Sequence, residues 1–156
     1  MRPSHVLGAL VGTLVLACTG STDPGPETFS ATLTPGAERP NPVDNAPNAS
    51  GTATFTLRTA TTMDFAIDVS GLTGPPVGAH IHGPASVDAF AGILVGFTPL
   101  ASITSGRIAS GSFTTPSAAG VSFDSVLVLM RNGNAYVNVH TALNPGGEIR
   151  GQIVRP

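Results

Sequence analysis

From Phe29 onward, apolar and polar residues alternate with a period of two, in short runs that end in Gly, Pro, Asn or Ser. Such alternation turns one side of each run toward a core and the other toward solvent, as in an antiparallel sheet. Eight runs carry it: Phe29–Thr34, Thr52–Arg58, Met63–Ser70, Ala79–His82, Gly92–Phe97, Arg107–Thr114, Ala135–Thr141 and Glu148–Val154. Inward sets such as Phe55 with Leu57, or Phe65, Ile67 and Val69, alternate with Thr and Asp. Eight strands suffice for a sandwich or a barrel. Between the first two runs, PGAERPNPVDNAPNASG contains four prolines. It reads as a long surface loop, because a central strand cannot spare that many N–H donors. One stretch departs from the alternation. FDSVLVLMRNG places Val126, Leu127 and Met130 near helical spacing behind Ser122 as a cap, and it stops at Asn132-Gly133. A short helix is the preferred reading; a strand competes, because Val126 and Val128 are β-branched.

Composition narrows the class. A chain of 156 residues holds one ordinary domain. With 19 Gly, 14 Pro, 41% hydrophobic and 10% charged residues, it fits a turn-rich β protein. Seven arginines, no lysine and nine acids leave a formal charge of −2, so no basic field exists for a phosphate backbone, and nucleic acid is excluded as a partner. A single cysteine supplies neither an internal disulfide nor a multi-thiolate metal site.

The N-terminus reads as an address. Arg2 precedes an apolar run from Val6 to Ala17, shorter than the roughly 20 residues that span a bilayer. Residues 1–17 are therefore a secretory signal. The order Val15-Leu16-Ala17-Cys18 resembles a bacterial lipoprotein signal, which implies cleavage before Cys18 and acylation of its thiol. An ordinary signal peptide cut after Ala17 accounts for the same residues. Residues 18–28 form a polar tether with no periodicity, leaving 29–156 as the domain. The expected location is extracytoplasmic, on a bacterial membrane through a lipid anchor.

Candidate chemistry concentrates in three runs. In Ala79-His80-Ile81-His82, alternation sends Ile81 inward and both imidazoles outward, with Cα atoms about 6.5–7 Å apart. In Tyr136-Val137-Asn138-Val139-His140 the valines take the core, so Tyr136, Asn138 and His140 share the other face. Glu148, Arg150 and Gln152 likewise face away from Ile149 and Ile153. Residues 142–147 are turn-rich enough to join the last two runs as a hairpin, in which His140 opposes Glu148 or Arg150 and never Ile149. If this hairpin lies beside the His80–His82 strand, three imidazoles converge on one outer polar surface. They would suit copper or zinc with an open fourth position. Glu148 would orient one imidazole, and Arg150 would attract a small anion to the open position. The bland alternative has the histidines pinning loops through backbone hydrogen bonds, with Glu148 and Arg150 as a surface ion pair. No nucleophile elbow, triad or phosphate loop appears, and Asp64 and Asp68 suit a solvated strand face.

The segments GAHIHGPA (Gly78–Ala85) and YVNVHTALNPGGEIRGQI (Tyr136–Ile153), with FSATLTPGAERPNPV and ASGTATFTL before them, resemble the CHRD domain, a module first described in chordin. The resemblance runs from about Phe29 to Val154. It implies an all-β, immunoglobulin-like or superoxide-dismutase-like Greek-key sandwich or barrel of about eight strands with one short helix. Similarity to copper/zinc superoxide dismutases implies that His80 and His82 match that family's H-V-H copper ligands, His140 a later copper ligand, and Arg150 the arginine after its Gly-rich turn. No His lies between Gly83 and Asn138, so the bridging imidazole and the zinc ligands are missing, as are the disulfide cysteines. Those departures speak against a dismutase. The favoured expectation is a lipid-anchored, non-catalytic binding or structural module with a protein or envelope partner. The alternative is a copper- or zinc-binding protein using His80, His82 and His140.

Overall fold

Strands form where the alternation places them. A computed structural model describes residues 25–156; the signal segment and Cys18 lie outside the described residues. The elements are β1 (Thr28–Leu33), β2 (Ser50–Thr59), β3 (Thr62–Ser70), β4 (Pro76–His82), β5 (Ile93–Phe97), β6 (Gly106–Phe113), α1 (Phe123–Arg131), β7 (Tyr136–Thr141) and β8 (Ile149–Gln152), with one 3₁₀ turn at Pro35–Ala37. The helix wins over the competing strand because Phe123, Val126, Leu127 and Met130 form one buried stripe at i, i+3, i+4 and i+7. Ser122 caps it, its Oγ accepting from the Ser125 N–H at 3.1 Å. Gly133, at φ +66°, carries the chain out.

The strands make two antiparallel four-stranded sheets, ordered β1-β2-β3-β6 and β5-β4-β7-β8. The chain leaves the first sheet after β3, makes β4 and β5 in the second, and returns beside β3 as β6; β7 then returns beside β4. These are Greek-key connections between the layers of a β sandwich. Two bridges, Ser30 to Val154 and Thr34 to Arg150, join β1 to the last strand and close one side. Phe29, Phe55, Ile67, Ile81, Val137, Val139 and Ile149 fill the space between the sheets, each 0–1% exposed. The outer face of the first sheet is the solvated one, with Asp68 paired to Arg107 at 2.9 Å and Asp64 paired to Arg58. Among the described residues no helix is long and apolar enough to cross a membrane.

The outer face of the second sheet corrects an expectation. It is polar, as the parity requires, yet it is not open. Tyr136, Asn138 and Arg150 are buried. Two connections fold over them: the proline-rich segment after β1, which brings Glu38 to Asn138, and residues 83–92, whose carbonyls reach Arg150. The proline-rich segment is therefore not simply a surface loop, for Glu38, Ala46 and Ala49 are all buried.

Candidate metal centre

The pleat of β4 and β7 assembles the centre. In their antiparallel register Gly78 faces His140, His80 faces Asn138 and His82 faces Tyr136, with Ile81 opposite Val137 on the inner side. His140 is thus diagonal to His80, and His82 stands two residues farther along. One ring nitrogen from each of His80, His82 and His140 lies within 4.8 Å of the others. The closest pair is His80 Nδ1 and His140 Nε2 at 3.0 Å.

Backbone carbonyls set the tautomers. Ala91 O lies 2.9 Å from His82 Nδ1, and Pro145 O lies 3.0 Å from His140 Nδ1. A carbonyl only accepts, so both Nδ1 atoms carry the proton and both Nε2 atoms keep a lone pair. His82 Nε2 is buried and has no hydrogen-bond partner. His80 owes its placement to Gly78, with Gly96 in ordinary contact distance. A Cβ on Gly78 would sit 3.1 Å from His80 Cε1 and 3.4 Å from Nε2, and one on Gly96 would sit 3.8 Å from Cδ2. The ring lies over bare backbone, with Nδ1 turned to the other imidazoles.

Burial holds all three imidazoles in the neutral form. It pushes His80 down to about 4, helped by the nearby His140 and His82. Burial also lowers His82 and His140, with the backbone hydrogen bonds pulling the other way. Neutral imidazole is the form that ligates a metal, so little proton release would accompany binding near pH 7.

Two further expectations are corrected. Glu148 does not orient an imidazole. Its carboxylate accepts from the Thr73 N–H at 2.7 Å, Thr141 Oγ1 at 2.5 Å, Asn144 Nδ2 at 2.8 Å and the Thr73 hydroxyl. Burial alone would raise its pKa, but these donors together hold it below the usual range. The reason is local: Gly147, at φ +132°, turns the chain just before β8 begins, and Glu148 goes with Thr141, on the side of β7 away from His140. The carbonyls of Ala91 and Pro145 do the orienting instead. Arg150 does not present a free cation either. It is 2% exposed and donates to Ser86 O at 3.1 Å and Ala89 O at 2.7 Å, while its guanidinium lies 3.6 Å from the Tyr136 ring centre. Tyr136 in turn stacks on His82 with centroids 4.9 Å apart and planes 5° from parallel. Parity does give the register, for Asn138 faces Arg150 and Val139 faces Ile149.

Glu38 is the residue that the sequence patterns missed. It is 3% exposed, and both carboxylate oxygens share the one Nδ2 of Asn138 at 2.9 and 2.8 Å. Burial raises its carboxyl to about 7, against the pull of Arg150, Asn138 and Arg39. A groove of about 530 Å³ runs beside it, between the proline-rich segment and the hairpin tip that carries Pro145.

The model of the CHRD domain family matches residues 29–153. That span contains the three histidines and both connections that fold over them. No curated protein matches the chain.

Proposed function

The chain belongs to the CHRD family, and from its imidazole cluster we propose a non-catalytic, extracytoplasmic metal-binding module, held to a bacterial membrane by lipid on Cys18. The metal reading rests on one observation above the rest. His82 Nε2 is a buried lone pair with no donor, on a ring one of whose nitrogens lies within 4.8 Å of a nitrogen of His80 and of a nitrogen of His140. Leaving such an atom unmatched costs about 1–3 kcal/mol, a cost that coordination removes. Loop pinning accounts for Nδ1 of His82 and of His140, and the hydrogen bond from His80 Nδ1 accounts for Nε2 of His140, which leaves His82 Nε2 as the nitrogen without a partner.

His82 and His140 would ligate through Nε2, and His80 through Nδ1 once the proton it donates to His140 Nε2 has moved to its own Nε2. An all-imidazole set suits Cu(II) and Zn(II), and the Irving–Williams order favours Cu(II) at equal availability. A bound ion would supply Lewis acidity or, for copper, a one-electron couple. The chain's own residues hold the rings: Ala91 and Pro145 fix the tautomers, Tyr136 stacks on His82, and Gly78 leaves room for His80. We propose no dismutation, since no His between Gly83 and Asn138 is present to bridge to a second metal. A partner, protein or envelope component, belongs to the same reading.

Elemental analysis of the natively purified protein, followed by Cu(II) titration, tests this. The expected result is near-stoichiometric copper or zinc, lost in His82→Ala and in His140→Ala, with unfolding still cooperative in both. Equal metal content in the two variants and the parent overturns the metal centre. Mass spectrometry of the mature N-terminus tests the anchor separately: an unacylated Cys18 overturns it.

A further inference from the structure

We propose that residues 83–92, through Val87 and Phe90, rest on the bilayer that carries the anchor, and so fix which end of the domain meets the membrane. This rests on the lipid-anchor part of the reading above and not on the metal. The inner side of this connection is held firmly. Ala85 N–H donates to Asn134 O at 3.0 Å, Ser86 O and Ala89 O receive Arg150, and Ala91 engages both His82 and Tyr136. Its outer side carries the most exposed aromatic ring of the domain. Phe90 is 70% and Val87 56% exposed, while the other six phenylalanines are packed in or against the core. A pinned backbone that turns a phenylalanine outward does so without the excuse of local disorder.

The place where the tether enters says what covers these residues. The Glu27 carboxylate bonds Arg131 at 2.6 Å and Arg155 at 3.2 Å. Three residues beyond Arg131, Asn134 O accepts from Ala85 at the start of the same connection, and Gln152 Nε2 ties Ala85 O to Gly133 O at 2.7 Å each. The tether and the Phe90 connection therefore meet at one end of the sandwich. Seven peptide steps separate Cys18 from Gly25, so covalent geometry alone keeps Gly25 within about 25 Å of an acylated Cys18. One phenylalanine and one valine would not hold a free protein on a membrane, but an anchored chain makes that contact intramolecular, and a weak contact then suffices to choose an orientation. Because Ala91 holds His82, this orientation places the imidazoles just behind the membrane-facing edge.

The chain has no tryptophan, so Phe90→Trp gives a single reporter. Full-length lipidated protein is bound to phosphatidylglycerol-containing vesicles whose acyl chains carry bromine, with Val77→Trp as the comparison. Val77 is 63% exposed and lies at the opposite end of β4 from residues 83–92. The expected result is blue-shifted emission from F90W on binding, with bromine quenching about threefold greater than for V77W. Co-flotation of F90W with vesicles without quenching, or equal quenching of the two variants, overturns the membrane contact and leaves the anchor standing. Failure to co-float overturns the anchor, and this inference with it.

Discussion

Replacing Glu38 with Gln should flatten one arm of the pH–stability profile. The buried carboxyl has its pKa raised to about 7 from an ordinary 4.5, chiefly by burial. A group whose pKa is higher in the fold than in the unfolded chain binds its proton more tightly when folded. Its contribution is complete below 4.5 and is lost as pH rises through 7. Each tenfold change in proton affinity is worth about 1.4 kcal/mol, so the loss is about 1 kcal/mol by pH 5 and about 3 kcal/mol by pH 7. The amide of Glu38→Gln does not ionise and carries no such penalty. Its oxygen would still accept from Asn138 Nδ2, and any cost of setting its nitrogen against the same Nδ2 does not vary with pH. The histidines work in the opposite sense. Their pKa values are lowered, to about 4 for His80, so their contribution is present above 6.5 and is lost as pH falls. In the parent protein the two slopes oppose one another below pH 6.5, and only a difference between proteins isolates Glu38. Urea unfolding of parent and E38Q with chelator present, at pH 5, 6, 7 and 8, supplies that difference. It should grow in favour of E38Q by about 2 kcal/mol from pH 5 to pH 7 and then level off. A gap that stays constant with pH would refute the assignment of Glu38 as a carboxyl buried without adequate donors.

Glu148 is the opposite case, a buried carboxylate with four donors. Glu148→Ala strands the Thr73 N–H and the Asn144 amide, and should cost about 3 kcal/mol in urea unfolding, with Glu148→Gln costing less. Gly78→Ala should push the His80 ring aside and weaken Cu(II) binding about tenfold in a chelator competition, with the fold retained by circular dichroism. Ser122→Ala removes the N-cap of α1 and should lower stability by about 1 kcal/mol without changing Cu(II) affinity. Saturating Cu(II) at about a thousandfold over its dissociation constant should stabilise the parent by about 4 kcal/mol in the same assay, and His82→Ala should show none of that gain.

Parity makes much of this protein legible in its sequence. A period of two, read with the single assumption that Ile81, Val139 and Ile149 point inward, puts His80, His82 and His140 on one face and excludes any hairpin register that sets an imidazole opposite Ile149, in agreement with the ladder found, where Val139 faces Ile149. It does so because an aliphatic residue turned to solvent in every other position of three strands would cost far more than any polar contact returns. What parity cannot carry is the third layer. The groups that orient His82 and His140 are carbonyls, which every residue possesses, so Ala91 and Pro145 leave no mark in composition or spacing. Arg150 likewise looks free in the sequence because its partners are the carbonyls of Ser86 and Ala89. Glu38 is hidden for a related reason, since a proline-rich stretch excludes a strand without excluding burial. One signal does exist. In a domain with so few charges, a Glu set among prolines has no strand face to solubilise, and its acid group needs another explanation. Glu148 escapes the rule at the point where the rule stops, one residue outside the ladder, where a glycine at φ +132° frees the chain from alternation. The alternating pattern therefore locates the imidazoles, and the irregular connections decide which of their nitrogens are left to bind.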